Sequence, residues 1–166
     1  MSAPKLISPL LDGYIMGEPF SQHAGVSCCP AMKNDADDRY LVKIISNPAS
    51  QTQLEALLLT GAYSDAQAAN DYFKSKADDV VEDIKILKKL SEAEGFLPFK
   101  DYQVVPMENG ENGYDVYILC DYRRTLDRQF QREPMTHLAA INLGLDICSA
   151  LSVCRRAGYL YVDLKP

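Results

Sequence analysis

Lys43 is a cation set inside an apolar, strand-forming run, Tyr40-Leu41-Val42-Lys43-Ile44-Ile45. Such a lysine either runs its stem along apolar surface to reach water at a sheet edge or holds an anion. Two carboxylates, Glu82 and Asp83, lie side by side in a long helix-forming stretch. At 100° per residue, Asp83 falls about 40° from Leu87 and about 60° from Val80, whereas Glu82 falls about 160° from both Val80 and Ile84. Asp83 thus borders the apolar stripe, and Glu82 does not. A solvated face carrying both remains the alternative. Asp163 and Lys165 make a third set, in Asp163-Leu164-Lys165-Pro166, a composition that also suits a plain turn. Carboxylates can move protons and lysines can hold anions. In a chain this acidic, the few inward-facing lysines are where a phosphate would be held.

Other side chains carry less. Cys28, Cys29, Cys120, Cys148 and Cys154 form no C-x-x-C and have no histidine pair beside them, so no zinc site is expected. An odd count argues against a disulfide framework; the five read as reduced thiols. His23 reads as a loop histidine, and His137, in the first turn of the last helix, takes no role.

The elements that position these residues follow from pattern. The 166 residues are 47% hydrophobic and 24% charged, room for one medium domain or two small lobes. Strands are expected at 13–17, 26–32, 40–45, 102–106 and 114–120. Asn109-Gly110 and Asn112-Gly113 mark a hairpin between the last two. Helices are expected at 50–60, 65–93, 125–131 and 136–157. Ser64 and Gln67 form a capping box for the long helix, whose stripe is Phe73, Val80, Ile84 and Leu87. The order predicts an α+β fold: a five-stranded antiparallel sheet with one long helix packed on it, followed by a helical region.

Seventeen Lys and Arg against 23 Asp and Glu leave a net charge of -6. No basic stripe offers itself to a phosphate backbone, so no nucleic-acid partner is expected. No apolar run reaches the roughly 18 residues of a membrane span, and the start lacks a signal-peptide pattern. The expectation is a cytoplasmic protein with no membrane partner. The last helix is apolar on most of its circumference: Ile141, Leu145 and Cys148 line one side, and Leu143, Ile147, Leu151 and Cys154 another. Asn142, Gly144 and Asp146 argue against a membrane span. A helix of this kind belongs inside a larger body. It suggests a piece of a longer polypeptide, one that would self-associate through this helix when alone.

Four stretches, in order, resemble the protein kinases. Tyr161-Val162-Asp163-Leu164-Lys165-Pro166 resembles the catalytic loop H-R-D-L-K-P. Leu41-Val42-Lys43 resembles A-I-K of the third kinase strand. Asp83-Ile84-Lys85-Ile86-Leu87 resembles E-I-x-I-L of the regulatory helix, and Ile118-Leu119-Cys120-Asp121-Tyr122 resembles the hinge, with Cys120 in the gatekeeper place. Together they span nearly the whole chain. Tyr161 and Val162 replace the His and Arg, a variation found in some bacterial Ser/Thr kinases, which this chain resembles most.

The resemblance implies the kinase N-lobe over 1–122, with a helical insertion at about 50–73, then hinge and incomplete C-lobe over 123–166. It implies ATP as cofactor and a protein substrate phosphorylated on Ser or Thr. Lys43 would reach the α/β-phosphates, held by Asp83 or by Glu82. Asp163 would orient the attacking hydroxyl and accept its proton, and Lys165 would steady the transferring phosphate. Gly17, Gly25 and Val26 are what remains of the glycine-rich phosphate loop, with Pro19 removing an amide donor. Cys120, Asp121, Tyr122 and Arg123 would border the adenine, chiefly through backbone groups. The chain carries no Mg²⁺ ligands of the family pattern, so it is expected to be inactive in phosphotransfer by itself, although the parent protein would be a kinase. The alternative is a pseudokinase or regulatory module that binds nucleotide or a partner without turnover.

Overall fold

The computed structural model describes residues 13–33, 38–93, 95–107 and 112–161. The elements run β1 (Tyr14–Met16), β2 (Ser21–His23), β3 (Val26–Lys33), β4 (Arg39–Asn47), α1 (Gln51–Leu59), α2 (Ala66–Leu90), β5 (Phe99–Pro106), β6 (Tyr114–Asp121), α3 (Leu126–Phe130) and α4 (His137–Arg156). The chain divides into two compact units: residues 1–85 with 99–122, and residues 86–98 with 123–166.

The first unit is α+β, built on an antiparallel sheet in the order β1-β3-β4-β6-β5, with β2 also on β3. It has six strands, not five. The extra strand is β2, which lies between the first two expected strands, in a stretch expected to be a loop. β1 pairs residues 31–33 of β3 and β2 pairs residues 26–28 of the same strand. Between them Gly17 to Phe20 bulge out, tied by Gly17 N–H to Pro30 O at 2.8 Å and Phe20 N–H to Cys28 O at 3.0 Å. Pro19, lacking an N–H, cannot continue the ladder.

β4 lies between β3 and β6, and its alternation sends side chains to two different cores. Val42, with Ala31 and Leu119, is buried on one face, where Tyr14, Met16, Tyr40, Ile44 and Tyr117 close around them. On the other face, Val116 and Ile118 of β6 meet Ala77 and Ile84 of α2, with Ile45, Tyr102 and Val104 alongside. The helix stripe is Ala69, Phe73, Ala77, Val80 and Ile84, a three-to-four spacing that keeps one side of α2 on its neighbours. Ile84 is 1% exposed; Leu87, expected on this stripe, is 45% exposed. α1 closes a third cluster, Leu54 against Ala69 and Phe73.

Helix ends show local chemistry. Asp65 caps α2, not Ser64: its Oδ1 accepts from Ala68 N–H at 2.8 Å, while Ser64 Oγ donates to Asp65 Oδ2. Gln67 bonds forward to Asp71 instead of back to the cap. α1 and α4 take Ser50 and Thr136 as N-caps. Both finish in Schellman motifs, with Ala62 N–H on Leu57 O at 3.0 Å and Tyr159 N–H on Cys154 O at 2.9 Å.

The second unit holds α3, α4 and the segment leading from α2. Along α4, Leu143, Ile147 and Ala150 are half-buried and Cys154 is buried. Leu138, Ile141 and Leu145 are 67%, 60% and 63% exposed. The two apolar sides read from the sequence are thus different in kind: one is partly covered and the other faces out. By length and composition alone, α4 is long and apolar enough to cross a membrane, with Asp146 at its middle.

Candidate functional site around Lys43

Lys43 sits on β4 with Cys28 of β3 directly opposite on one flank and Ile118 of β6 on the other. Directly paired residues project to the same face, so Cys28, Lys43, Ile118 and Tyr102 form one row across the sheet. The rows on either side are Val26, Ile45, Val116 and Val104, and Pro30, Leu41, Cys120 and Phe99. This is the face on which α2 packs. The helix covers it over β5, β6 and the Ile45 end of β4. Over β3 and the middle of β4 it remains accessible: Pro30 and Lys43 are exposed, and Cys28 and Leu41 half-buried.

Among the described residues the lysine has no carboxylate partner. Neither Lys43 nor Asp83 takes part in an ion pair among the described residues. Glu82 is engaged elsewhere, with Lys85 at 2.6 Å on the outer side of α2; that partner, through its hydrogen bond first, raises the Lys85 pKa. Asp83 is exposed. Lys43 does act on Cys120: burial pushes this thiol up, Asp121 adds to the push, and the nearby ammonium pulls the other way.

The glycine-bearing segment is a tight hairpin. His23 and Val26 pair across a two-residue turn in which Ala24 and Gly25 have φ of 47° and 77°, the signs a type I′ turn demands. A Cβ on Gly25 would lie 2.6 Å from Ala49 Cβ, and Ser46 N–H donates to Gly25 O at 2.8 Å. Val26 faces Ile45, two residues from Lys43. The amides of Gly17 and Phe20 already serve the sheet.

Cys120 and Asp121 end β6, Tyr122 follows as the last residue of the first unit, and Arg123 belongs to the second. Tyr122 N–H donates to Arg39 O at 3.1 Å, and Asp121 pairs with Lys100 at 3.2 Å. Asp163 and Lys165 lie outside the described residues. Among the described residues, no three His, Cys, Asp or Glu side chains converge as a metal site would require.

The structure thus adds Cys28 to the neighbours of Lys43. Register carries that signal, and register cannot be read from either strand alone. No family model and no curated protein matches the chain.

Proposed function

We propose that the chain is the nucleotide-binding part of a protein of protein-kinase type, with Lys43 holding the α/β-phosphates of ATP. The observation that carries this reading is an exposed lysine with no carboxylate partner among the described residues, at the centre of the helix-bearing sheet face. An uncompensated cation on an apolar floor suits an anionic ligand with a flat hydrophobic part. The long helix between the β4 and β5 strands, bearing Asp83, stands where the kinase resemblance requires a helix. On this reading the whole protein transfers phosphate to Ser or Thr hydroxyls of a protein substrate, with Asp163 as base and Lys165 on the phosphate.

The engagement of the Gly17 and Phe20 amides in the sheet favours, as the second reading, a module that binds nucleotide without turnover. Both readings require nucleotide binding, and transfer of the γ-phosphate separates them.

Titration with a fluorescent ATP analogue, with and without Mg²⁺, tests the shared premise. The chain is expected to bind it saturably. Lys43→Met is expected to weaken binding at least tenfold, about 1.4 kcal/mol, with an unchanged melting temperature, since Lys43 is exposed. Absence of saturable binding, or equal affinity in Lys43→Met, would overturn the reading.

A further inference from the structure

We propose that α4 docks on the surface of an anionic lipid bilayer, with Leu138, Ile141 and Leu145 among the acyl chains and Arg155 and Arg156 on the headgroup phosphates. Lys43 has no part in this contact.

Leu138, Ile141 and Leu145 are each more than half exposed and follow one another at three- and four-residue steps, as neighbours on one stripe do. Cys148, Ser152 and Arg156 continue the same steps and are exposed as well. Arg156 Nη1 donates to Ser152 Oγ at 2.9 Å. At 100° per residue, Arg156 falls in line with Leu138, and Arg155 falls about 40° from Ile141. The stripe therefore passes from apolar side chains to a pair of guanidiniums. The one acid of the helix, Asp146, stands off it, about 80° from Leu138 and about 140° from Ile141 by the same count. Past the helix, Tyr159, Leu160 and Tyr161 are exposed in a row, and tyrosine rings settle at headgroup level.

Charge decides between occupants of the stripe. The second unit carries nine Lys and Arg against six Asp and Glu, whereas the first carries eight against 17. A net positive unit that bears an exposed apolar stripe suits an anionic bilayer, which draws basic residues to its surface. With a Debye length of about 8 Å at physiological salt, charges beside the contact outweigh the net charge of -6 on the whole chain. A second copy is the poorer occupant. It would set positive unit against positive unit, and three side chains fall well short of the roughly 800 Å² per partner that a stable protein interface buries. Asn142, Gly144 and Asp146 argue against a span, and a helix lying in the interfacial plane needs none.

The test is flotation of the full chain with vesicles of phosphatidylcholine alone and of phosphatidylcholine and phosphatidylserine in equal parts. Binding to the mixed vesicles is expected to exceed binding to phosphatidylcholine at least tenfold, and to fall as salt is raised. Leu138→Gln with Ile141→Gln is expected to lower binding at least tenfold at an unchanged melting temperature. Arg155→Gln with Arg156→Gln is expected to remove most of the preference for the mixed vesicles. Leu59→Gln, which changes an exposed leucine of the first unit, is expected to bind as the parent chain does. No binding to the mixed vesicles, equal binding to both kinds, or full binding by Leu138→Gln with Ile141→Gln would each overturn the inference. So would light scattering that shows a dimer in the parent chain and a monomer in that variant, since a second copy would then cover the stripe.

Discussion

At the scale of single residues, surroundings separate side chains that the sequence presents as equals. Glu82 and Asp83 are adjacent acids, yet among the described residues Glu82 is tied to Lys85 and Asp83 takes part in no ion pair. On the proposed function, Asp83→Asn is expected to weaken ATP-analogue binding severalfold and Glu82→Gln to leave it unchanged, both read by titration. The cysteines separate in the same way. Burial raises the pKa of Cys29 and of Cys120, whereas Cys28 is half-buried and Cys148 exposed. Alkylation by iodoacetamide at pH 7.5, followed by peptide mass spectrometry, is expected to modify Cys148 and Cys28 first. Labelling of Cys29 and Cys120 should lag and gain on raising the pH, because only the thiolate reacts. Asp65 gives a pH dependence of stability. The Ala68 amide, above all, and the Ser64 hydroxyl hold its carboxyl below the ordinary range. A pKa depressed in the folded state stabilises above the unfolded value, near about pH 4, and that contribution fades as pH falls through the folded value. Asp65→Asn is therefore expected to flatten the acid limb of a melting-temperature profile, whereas Ser64→Ala should change it little.

Elements are where pattern and packing can be compared directly. Most were legible, because alternation and three-to-four spacing record which side of a strand or helix is buried. What was not legible has local causes. β2 is Ser21-Gln22-His23, exposed throughout; with no apolar alternation, only its backbone pairing makes it a strand. The cap of α2 falls one residue later than expected because Ser64 and Asp65 are both good caps, and only the three-dimensional chain path decides between them. Leu87 continues the spacing of the stripe, but the core formed with β6 stops at Ile84. The difference is measurable by urea denaturation. Ile84→Ala should cost about 2–5 kcal/mol, the range for emptying a filled apolar site. Leu87→Ala should stay within about 0.5 kcal/mol, as for other surface substitutions. The β2–β3 turn is a sharper test of backbone geometry. Gly25→Ala puts a methyl group against Ala49 at a positive φ, and a cost of about 1–3 kcal/mol is expected from strain alone.

For the molecule as a whole, the sequence signalled a helix too apolar to stand in water, and the structure narrows that signal to one side of it. α4 turns Leu143, Ile147 and Cys154 away from solvent and leaves Leu138, Ile141 and Leu145 exposed at successive three- and four-residue steps. These steps place the three on one stripe, and contiguous exposed apolar surface of this kind binds apolar dyes. The first unit packs three buried clusters and leaves separate large apolar side chains exposed, Leu59, Met32 and Phe20 among them. Anilinonaphthalene sulfonate fluorescence should therefore be high in the native chain, without the loss of near-UV dichroism that marks a loosened core. Leu138→Gln with Ile141→Gln should lower that signal and leave the melting temperature unchanged, because both side chains are more than half exposed. Ile147→Gln is the contrasting variant: it places an amide on the half-buried side of the same helix, so melting temperature should fall while the dye signal persists. If both variants lowered the melting temperature alike, α4 would be apolar because it is packed on all sides, and the two-sided description of the helix would be wrong.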